Sequence, residues 1–171
     1  MAHHIQEIER KWLVHDLPEL GELRSDRIIQ GYLAISSDGT EVRIRRKGDK
    51  CFETVKSQGG LARDEIEIEI SHDQFRLLWP ATEGRRLEKT RYVLPWNGHQ
   101  LELDVYQNGL AGLVIAELEF GSIDESERFR PPAWFGEEVT DDTRYKNNSL
   151  ALHGRPVMSS LLAEESRRSI F

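Results

Sequence analysis

Residues 7–11 read Glu7-Ile8-Glu9-Arg10-Lys11, and an apolar run, Trp12-Leu13-Val14, follows directly. Successive side chains of a β-strand point to opposite faces, so Glu7, Glu9 and Lys11 share one face of a strand. Pairs of like charge at the same two-residue spacing recur further along the chain. This repetition predicts a β-barrel whose interior is lined with charge and suited to a polyanion and metal ions.

Seven or eight segments have strand character, and turn signals such as Asn97-Gly98 and Asn108-Gly109 separate several of them. Most of these connections are short, which favours antiparallel neighbours, because parallel strands need a long crossover. The pattern predicts a mainly β (α+β) chain, a meander of strands that closes on itself. The segments lie at about 5–14, 26–35, 40–47, 51–57, 62–70, 86–94, 100–107 and 113–120.

Short helices are expected outside the sheet. The capping-box patterns Ser71-x-x-Gln74 and Ser122-x-x-Glu125 predict two helix starts. Residues 141–153 predict a helix packed on the barrel, and residues 157–168 predict a further one. Since no linker or repeat divides the chain, we expect one domain over 1–171, with a core at about 5–152 and a helical tail at about 153–171.

The composition limits the partners and the location. The chain has 171 residues, 31% of them charged, and a formal net charge of -7, which argues against a generally basic surface for nucleic acid. A single cysteine, Cys51, excludes an internal disulfide and a thiolate zinc site. The absence of an apolar span or secretory signal predicts a cytoplasmic protein without membrane contact. His3 and His4 are given no role.

The charged positions separate by sign along the predicted strands, while their neighbours on the other face are largely apolar. The acidic sets are Glu7 and Glu9; Glu65, Glu67 and Glu69; Glu102 and Asp104; and Glu117 and Glu119. The basic sets are Arg43 and Arg45, Lys56, and Lys89 with Arg91. A half-exposed sheet with a solvated polar face is the alternative. It explains any single strand, but solvated faces usually mix both signs, because like charges close together are destabilising.

Repeated carboxylates are tolerated where a divalent cation neutralises them, and all-oxygen ligands point to Mg²⁺ or Mn²⁺. The basic strands suit phosphate oxygens, since Arg offers a bidentate fork and Lys a point charge. A lumen with both sets suits phosphoryl transfer. Neither a Walker A loop nor a nucleophilic triad is present in the sequence.

The order of these motifs resembles that of the CYTH superfamily, also called triphosphate tunnel metalloenzymes, whose mark is an N-terminal E-x-E-x-K. The elements that match, after residues 7–11, are Val42-Arg43-Ile44-Arg45, Thr54-Val55-Lys56, Arg63-Asp64-Glu65-Ile66-Glu67, Glu88-Lys89-Thr90-Arg91, Glu102-Leu103-Asp104, Glu117-Leu118-Glu119 and Tyr145-Lys146-Asn147. The resemblance covers about residues 5–152 and implies an eight-stranded antiparallel tunnel with peripheral helices.

The resemblance also implies roles for the charged residues. It assigns Glu7, Glu9 and Glu119 to a metal, with Glu117 and Asp104 as candidate ligands of a second metal. It places Lys11, Arg43, Arg45, Lys56, Lys89, Arg91 and Lys146 along the triphosphate path, with Arg63 as a weaker member. Glu9, Glu119 and Lys146 are the candidate catalytic residues. Glu65 and Glu67 are expected to orient the basic residues through ion pairs, and Tyr32 either faces the lumen or is a buried packing residue.

The compact form resembles most the short inorganic triphosphatases, which implies metal-dependent hydrolysis of tripolyphosphate to pyrophosphate and phosphate. Two alternatives on the same fold are a class IV-type adenylate cyclase and a thiamine or nucleoside triphosphatase. An alternative of another class is a noncatalytic protein that binds polyphosphate or a nucleotide. The expected partner is a small molecule containing a triphosphate, and the sequence leaves a homodimer open.

Overall fold

A computed structural model describes residues 3–21, 23–57 and 62–157, with only the backbone of residues 3–7, 62 and 63. Eight strands form in this part of the chain, at nearly the predicted positions. They are β1 (His3–Leu13), β2 (Ser25–Ile35), β3 (Glu41–Lys47), β4 (Lys50–Lys56), β5 (Ala62–Ile70), β6 (Arg86–Trp96), β7 (His99–Tyr106) and β8 (Val114–Glu119).

The strands form a closed antiparallel barrel in the order β1-β5-β4-β3-β2-β6-β7-β8. The barrel was predicted correctly, but the simple meander was wrong, because β1 lies between β5 and β8 and β2 pairs with β6. A short turn places only the two strands that it joins next to each other. The connections over residues 14–24 and 71–85 are longer, so the strands at their ends find other partners.

Strand β1 closes the barrel because its two halves pair with different strands. Residues 3–8 pair with β5, and residues 9–13 pair with β8. The other edge of the second half binds an extended segment at 136–140, where the Leu13 N–H donates to the Glu137 carbonyl at 2.9 Å and the Val139 N–H donates to the Lys11 carbonyl at 2.8 Å. Both edges of this half of β1 are therefore hydrogen-bonded, which fixes the strand that carries Glu9 and Lys11.

Three short helices flank the barrel: α1 (His72–Leu78), α2 (Ile123–Arg128) and α3 (Asn147–His153). The capping box at Ser71 is complete. At Ser122 only the hydroxyl bond to the Glu125 N–H forms, and the Glu125 carboxylate accepts from the Gly121 N–H instead.

The helix predicted over 141–153 is shorter than expected. A 3-10 turn at 143–145 comes first, and the extended backbone of Lys146 separates it from α3. Residues 158–171, with most of the tail and of the predicted helix at 157–168, lie outside the described residues.

Charged and apolar side chains alternate between the two faces of the strands, as the sequence pattern predicts. The outward face of β1, β7 and β8 forms an apolar cluster around Trp12 and Leu118, which residues Phe129, Trp134 and Phe135 cover. Inside the barrel, Leu13 and Ile115 share the lumen face with the charged residues. They cluster with side chains of α3 and the preceding turn, so one end of the lumen has an apolar floor. No helix among the described residues is long and apolar enough to cross a membrane.

Candidate active site in the barrel lumen

The barrel encloses a cavity of about 580 Å³. The lining cations are Lys11, Arg43, Arg45, Lys47, Lys56, Lys89 and Arg91, and the lining carboxylates are Glu9, Glu65, Glu102, Glu117, Glu119 and Glu125. The other lining residues are Gln30, Gly98, His99, Gln100 and Gly121. Within the described part of the chain, no aliphatic side chain and no Phe, Tyr or Trp contributes to this wall.

Four of the six lining carboxylates lie on β1, β7 and β8 and form an acidic wall, namely Glu9, Glu102, Glu117 and Glu119. Glu9 lies directly opposite Glu119, and Glu102 lies directly opposite Glu117. Like charges at opposed positions destabilise a sheet unless a cation neutralises them. Within the protein, Lys11 supplies part of this charge, since its Nζ lies 3.0 Å from Glu9 Oε1 and 2.9 Å from Glu117 Oε1.

Glu117 pairs with two cations of the barrel, Lys11 and Arg91. Arg91 Nη2 donates to Glu117 Oε2 at 2.6 Å, on the other side from Lys11. Burial alone would raise the pKa of Glu117, but the charges of Lys11, Arg91 and Lys89 outweigh it and hold the pKa well below its usual range. Glu117 is therefore an anion at neutral pH, and two cations contact it.

The cations on β3 and β4 form a basic wall on the other side, and the expected ion pairs with β5 are present. Lys56 Nζ lies 2.5 Å from Glu65 Oε2, and Arg45 Nη2 donates to Glu67 Oε2 at 2.8 Å. Thr54 Oγ1 donates to the same Glu67 oxygen at 3.0 Å. These contacts fix the lysine and the arginine, which both line the cavity.

Arg45 keeps one hydrogen-bond donor without a described partner in this wall, although its Nη2 pairs with Glu67. Its Nε is buried and has no hydrogen-bond partner among the described residues. Burial and the neighbouring charges of Arg43 and Arg91 lower its pKa. A buried donor among crowded cations favours an anion in the cavity.

Lys89 lies at the inner end of the cavity and is 2% exposed. Its ammonium contacts Asp104, and it lies 5.4 Å from the centre of the Tyr106 ring. Burial and the charge of Arg91 lower its pKa to about 8, although Asp104 and Glu117 oppose the shift. Behind this layer, the Tyr106 hydroxyl donates to Asn147 Oδ1 of α3 at 2.6 Å.

Two relatives match this chain in sequence over most of its length. An inorganic triphosphatase of Nitrosomonas europaea is 54% identical over 148 residues, which are 85% of this chain and 97% of the relative. An inorganic triphosphatase of Acetivibrio thermocellus is 36% identical over 147 residues, 85% of this chain and 92% of the relative. The chain belongs to the CYTH superfamily of triphosphate tunnel enzymes.

Solved structures support the same assignment. The crystal structure of an inorganic triphosphatase superposes with a TM-score of 0.67 at 50% identity, over 86% of this chain and 95% of that one. A putative adenylate cyclase from Bacillus halodurans, 19% identical with a TM-score of 0.54 over 94% of this chain and 97% of that one, shares the fold alone. No model of a known protein family matches the chain.

Most residues predicted for the tunnel of this CYTH protein meet in the cavity, but two of those with described side chains, Asp104 and Lys146, do not line it. Asp104 is fully enclosed behind the wall, and Lys146 precedes α3 and is not among the lining residues. Glu7 and Arg63 lie opposite each other on β1 and β5, but their side chains are outside the described part. Tyr32 has the parity of the lumen and is wholly buried, with its hydroxyl accepting from Gln30 Nε2 at 3.0 Å.

Several lining residues were not assigned to the site from the sequence. Lys47 and Glu102 could have been found, because each continues the two-residue spacing of a recognised set, after Arg45 and before Asp104. His99 and Glu125 line the cavity as well, and His99 Nε2 lies 3.8 Å from Glu125 Oε1. They come from a hairpin and from α2, so only the fold places them together.

The donor chemistry of the acidic wall fits a hard divalent cation, since opposed carboxylates supply the oxygens that Mg²⁺ and Mn²⁺ prefer. The described side chains do not form a ready cluster of three or more carboxylates, histidines or cysteines around one point. Lys11 and Arg91 neutralise part of the negative charge of the acidic wall by pairing with Glu117.

Proposed function

We propose that this protein hydrolyses inorganic tripolyphosphate to pyrophosphate and phosphate in the barrel lumen, with Mg²⁺ or Mn²⁺ bound at the acidic wall. The observation that carries the proposal is the composition of the cavity, which seven cations and six carboxylates line together. The named activity of the two sequence relatives supports it.

The choice of an inorganic substrate rests on what the cavity wall offers a ligand. A nucleobase or a thiazole ring would bind through apolar or aromatic surface with a few polar groups. The described lining residues provide charge, amides and glycine backbone, with His99 as the single ring. A chain of phosphates can use all of this surface, whereas an organic moiety would lose its hydration without apolar contacts in return.

The two walls divide the work. Arg43, Arg45 and Lys56 on the basic wall bind the phosphate oxygens and neutralise the charge that develops on them. Glu9, Glu117 and Glu119 would hold the metal, together with Glu7 as the resemblance implies. A bound divalent cation supplies Lewis-acid polarisation of phosphoryl oxygens and a more acidic water. In the net reaction, water adds to a terminal phosphorus, an anhydride P–O bond breaks, and phosphate and pyrophosphate are released.

The test offers tripolyphosphate, ATP and thiamine triphosphate to the purified protein with Mg²⁺, with Mn²⁺ and with EDTA, and it measures phosphate, pyrophosphate and cyclic AMP. We expect equimolar pyrophosphate and phosphate from tripolyphosphate, and this release should stop in EDTA. Glu69→Gln is a matched control for Glu9→Gln, since Glu69 is an exposed glutamate that pairs with Lys50 outside the cavity.

Four results would contradict the proposal. Full activity in EDTA or in Glu9→Gln would mean that hydrolysis does not require a metal at the acidic wall. A kcat/KM for ATP or thiamine triphosphate above that for tripolyphosphate would mean that the substrate is an organic triphosphate. Formation of cyclic AMP from ATP would mean that the protein is a cyclase. Binding of tripolyphosphate by calorimetry without any turnover would mean a noncatalytic phosphate-binding protein.

A further inference from the structure

Strand β7 carries two acidic side chains on its lumen face, Glu102 and Asp104, which differ in their exposure to the cavity. Glu102 lines the cavity, and 29% of its side chain is exposed. Asp104, two residues further, has no exposed surface. In the sheet register, Glu102 lies opposite Glu117, while Asp104 lies between Arg91 of β6 and Ile115 of β8. Asp104 therefore has an apolar neighbour where Glu102 has a second carboxylate.

Both oxygens of Asp104 are already used. Its Oδ1 accepts from Arg91 Nε at 2.7 Å, and its Oδ2 accepts from Arg91 Nη2 at 2.6 Å, so the guanidinium binds it as a two-pronged fork. Oδ2 also accepts from the Lys89 ammonium. Glu117 is also paired through both oxygens, but it lines the cavity, whereas Asp104 is fully enclosed and is not among the lining residues. Asp104 therefore presents no oxygen to a metal in the cavity.

The two cations that Asp104 binds do reach the cavity, since Lys89 and Arg91 are both lining residues. Asp104 contacts them from outside the cavity wall, since it is not itself a lining residue. A long side chain loses rotamer freedom when a buried partner fixes it, and a fixed cation stabilises developing negative charge without reorganising during the reaction.

We propose that Asp104 is a positioning residue that holds Lys89 and Arg91 against the tunnel wall as phosphate-binding cations, and that it is not a metal ligand. This inference rests on the proposed function, because the phosphate is the group toward which the two cations are held. It replaces the role of second-metal ligand that the resemblance suggested for Asp104.

The test is Asp104→Asn, which keeps the size of the side chain and removes its charge. Manganese affinity is measured without substrate by electron paramagnetic resonance of free Mn²⁺. The kinetic constants kcat and KM are measured with tripolyphosphate, and circular dichroism gives the folded fraction for each sample. Glu117→Gln is the comparison for a residue of the acidic wall, and Glu69→Gln is the exposed control.

For Asp104→Asn we expect kcat to fall by about 10-fold to 100-fold, the usual cost of losing a partner that orients a functional group. The Mn²⁺ dissociation constant should stay within about twofold of wild type, whereas Glu117→Gln should weaken it by about tenfold or more. KM should change by less than about threefold, because the cations remain present but lose their fixed orientation. A purely structural role would lower activity only in proportion to the folded fraction.

Two results would overturn the inference: a loss of Mn²⁺ affinity in Asp104→Asn as large as in Glu117→Gln, or an unchanged kcat in a fully folded variant. If the single variant does not fold, the double variant Asp104→Asn/Lys89→Met restores the charge balance of the buried group, and the Mn²⁺ titration is read on it in the same way. Failure of the proposed function appears separately, as wild-type protein that does not release phosphate from tripolyphosphate.

Discussion

Two lysine–glutamate pairs on the same two strands allow a matched test of the basic wall. Lys56 pairs with Glu65 at 2.5 Å, and Lys50 pairs with Glu69 at 3.0 Å, both between β4 and β5. The Lys56 side chain is 3% exposed and faces the cavity, whereas the Lys50 side chain is 64% exposed. The pairs have the same chemistry and differ in their surroundings, so Lys56→Met and Lys50→Met form the comparison.

The expected size of the effect follows from the surroundings. Two unit charges about 4 Å apart interact by about 4 kcal/mol at the effective dielectric of a partly enclosed site. A phosphate oxygen beside Lys56 would lose an interaction of that order, and about 1.4 kcal/mol corresponds to a factor of ten. We therefore expect Lys56→Met to lower kcat/KM for tripolyphosphate by about 10²-fold to 10³-fold, in the range found when one preorganised electrostatic contact is removed.

Lys50→Met should leave kcat/KM within about twofold of wild type, since exposed ion pairs contribute about 0 to 1 kcal/mol. The assay is release of phosphate at saturating Mg²⁺, with tripolyphosphate varied around KM. The double variant Lys56→Met/Glu65→Gln separates the loss of the cation from the repulsion of an uncompensated glutamate. Equal activity of wild type and Lys56→Met, or full recovery in the double variant, would refute the assignment of Lys56 to phosphate binding.

Three further predictions concern the acidic wall and the inner end of the cavity. Glu9→Gln should lower kcat by about 10²-fold to 10³-fold in phosphate-release assays at saturating Mg²⁺, and wild-type activity in this variant would exclude Glu9 from the site. Glu117 has a lowered pKa in the folded protein, so its contribution to stability is present above about pH 4.5 and is lost as the pH falls through the folded value. Urea unfolding of Glu117→Gln should accordingly show a smaller loss of stability between neutral and acidic pH than wild type, and parallel curves would contradict the ion pairing. The pKa of Lys89 is about 8 in the folded protein and about 10.5 in the unfolded chain. The unfolded chain therefore binds more protons between these values, and the free energy of unfolding should increase as the pH rises from 8 toward 10.5. Lys89→Met should lack this increase, and an equal increase in both proteins would assign the titration to another group.

Much of the barrel could be predicted from the sequence because the relevant signal is local. The two-residue spacing of Glu9 and Lys11, or of Arg43 and Arg45, assigns each charge to one face of a strand without knowledge of the neighbouring strands. The same signal extends to Lys47 and Glu102, which the cavity includes. The full capping box at Ser71 is local in the same sense.

Strand order could not be predicted from turns alone. The hairpins from β2 to β5 and from β6 to β8 follow from short connections. The placement of β1 between β5 and β8 depends on contacts between residues more than 50 positions apart, such as Glu9 with Glu119. Nothing in the local sequence of either strand specifies that pairing.

The sequence by itself therefore determined which side chains face the lumen, because face parity is a property of one strand. Only the tertiary structure decided how deep each side chain lies and what it contacts. Glu102 and Asp104 have the same parity and similar chemistry, yet one lies opposite Glu117 at the cavity and the other is enclosed between Arg91 and Ile115. Their difference arises from the register of three strands and from the apolar floor of the barrel, and both depend on how distant parts of the chain pack together.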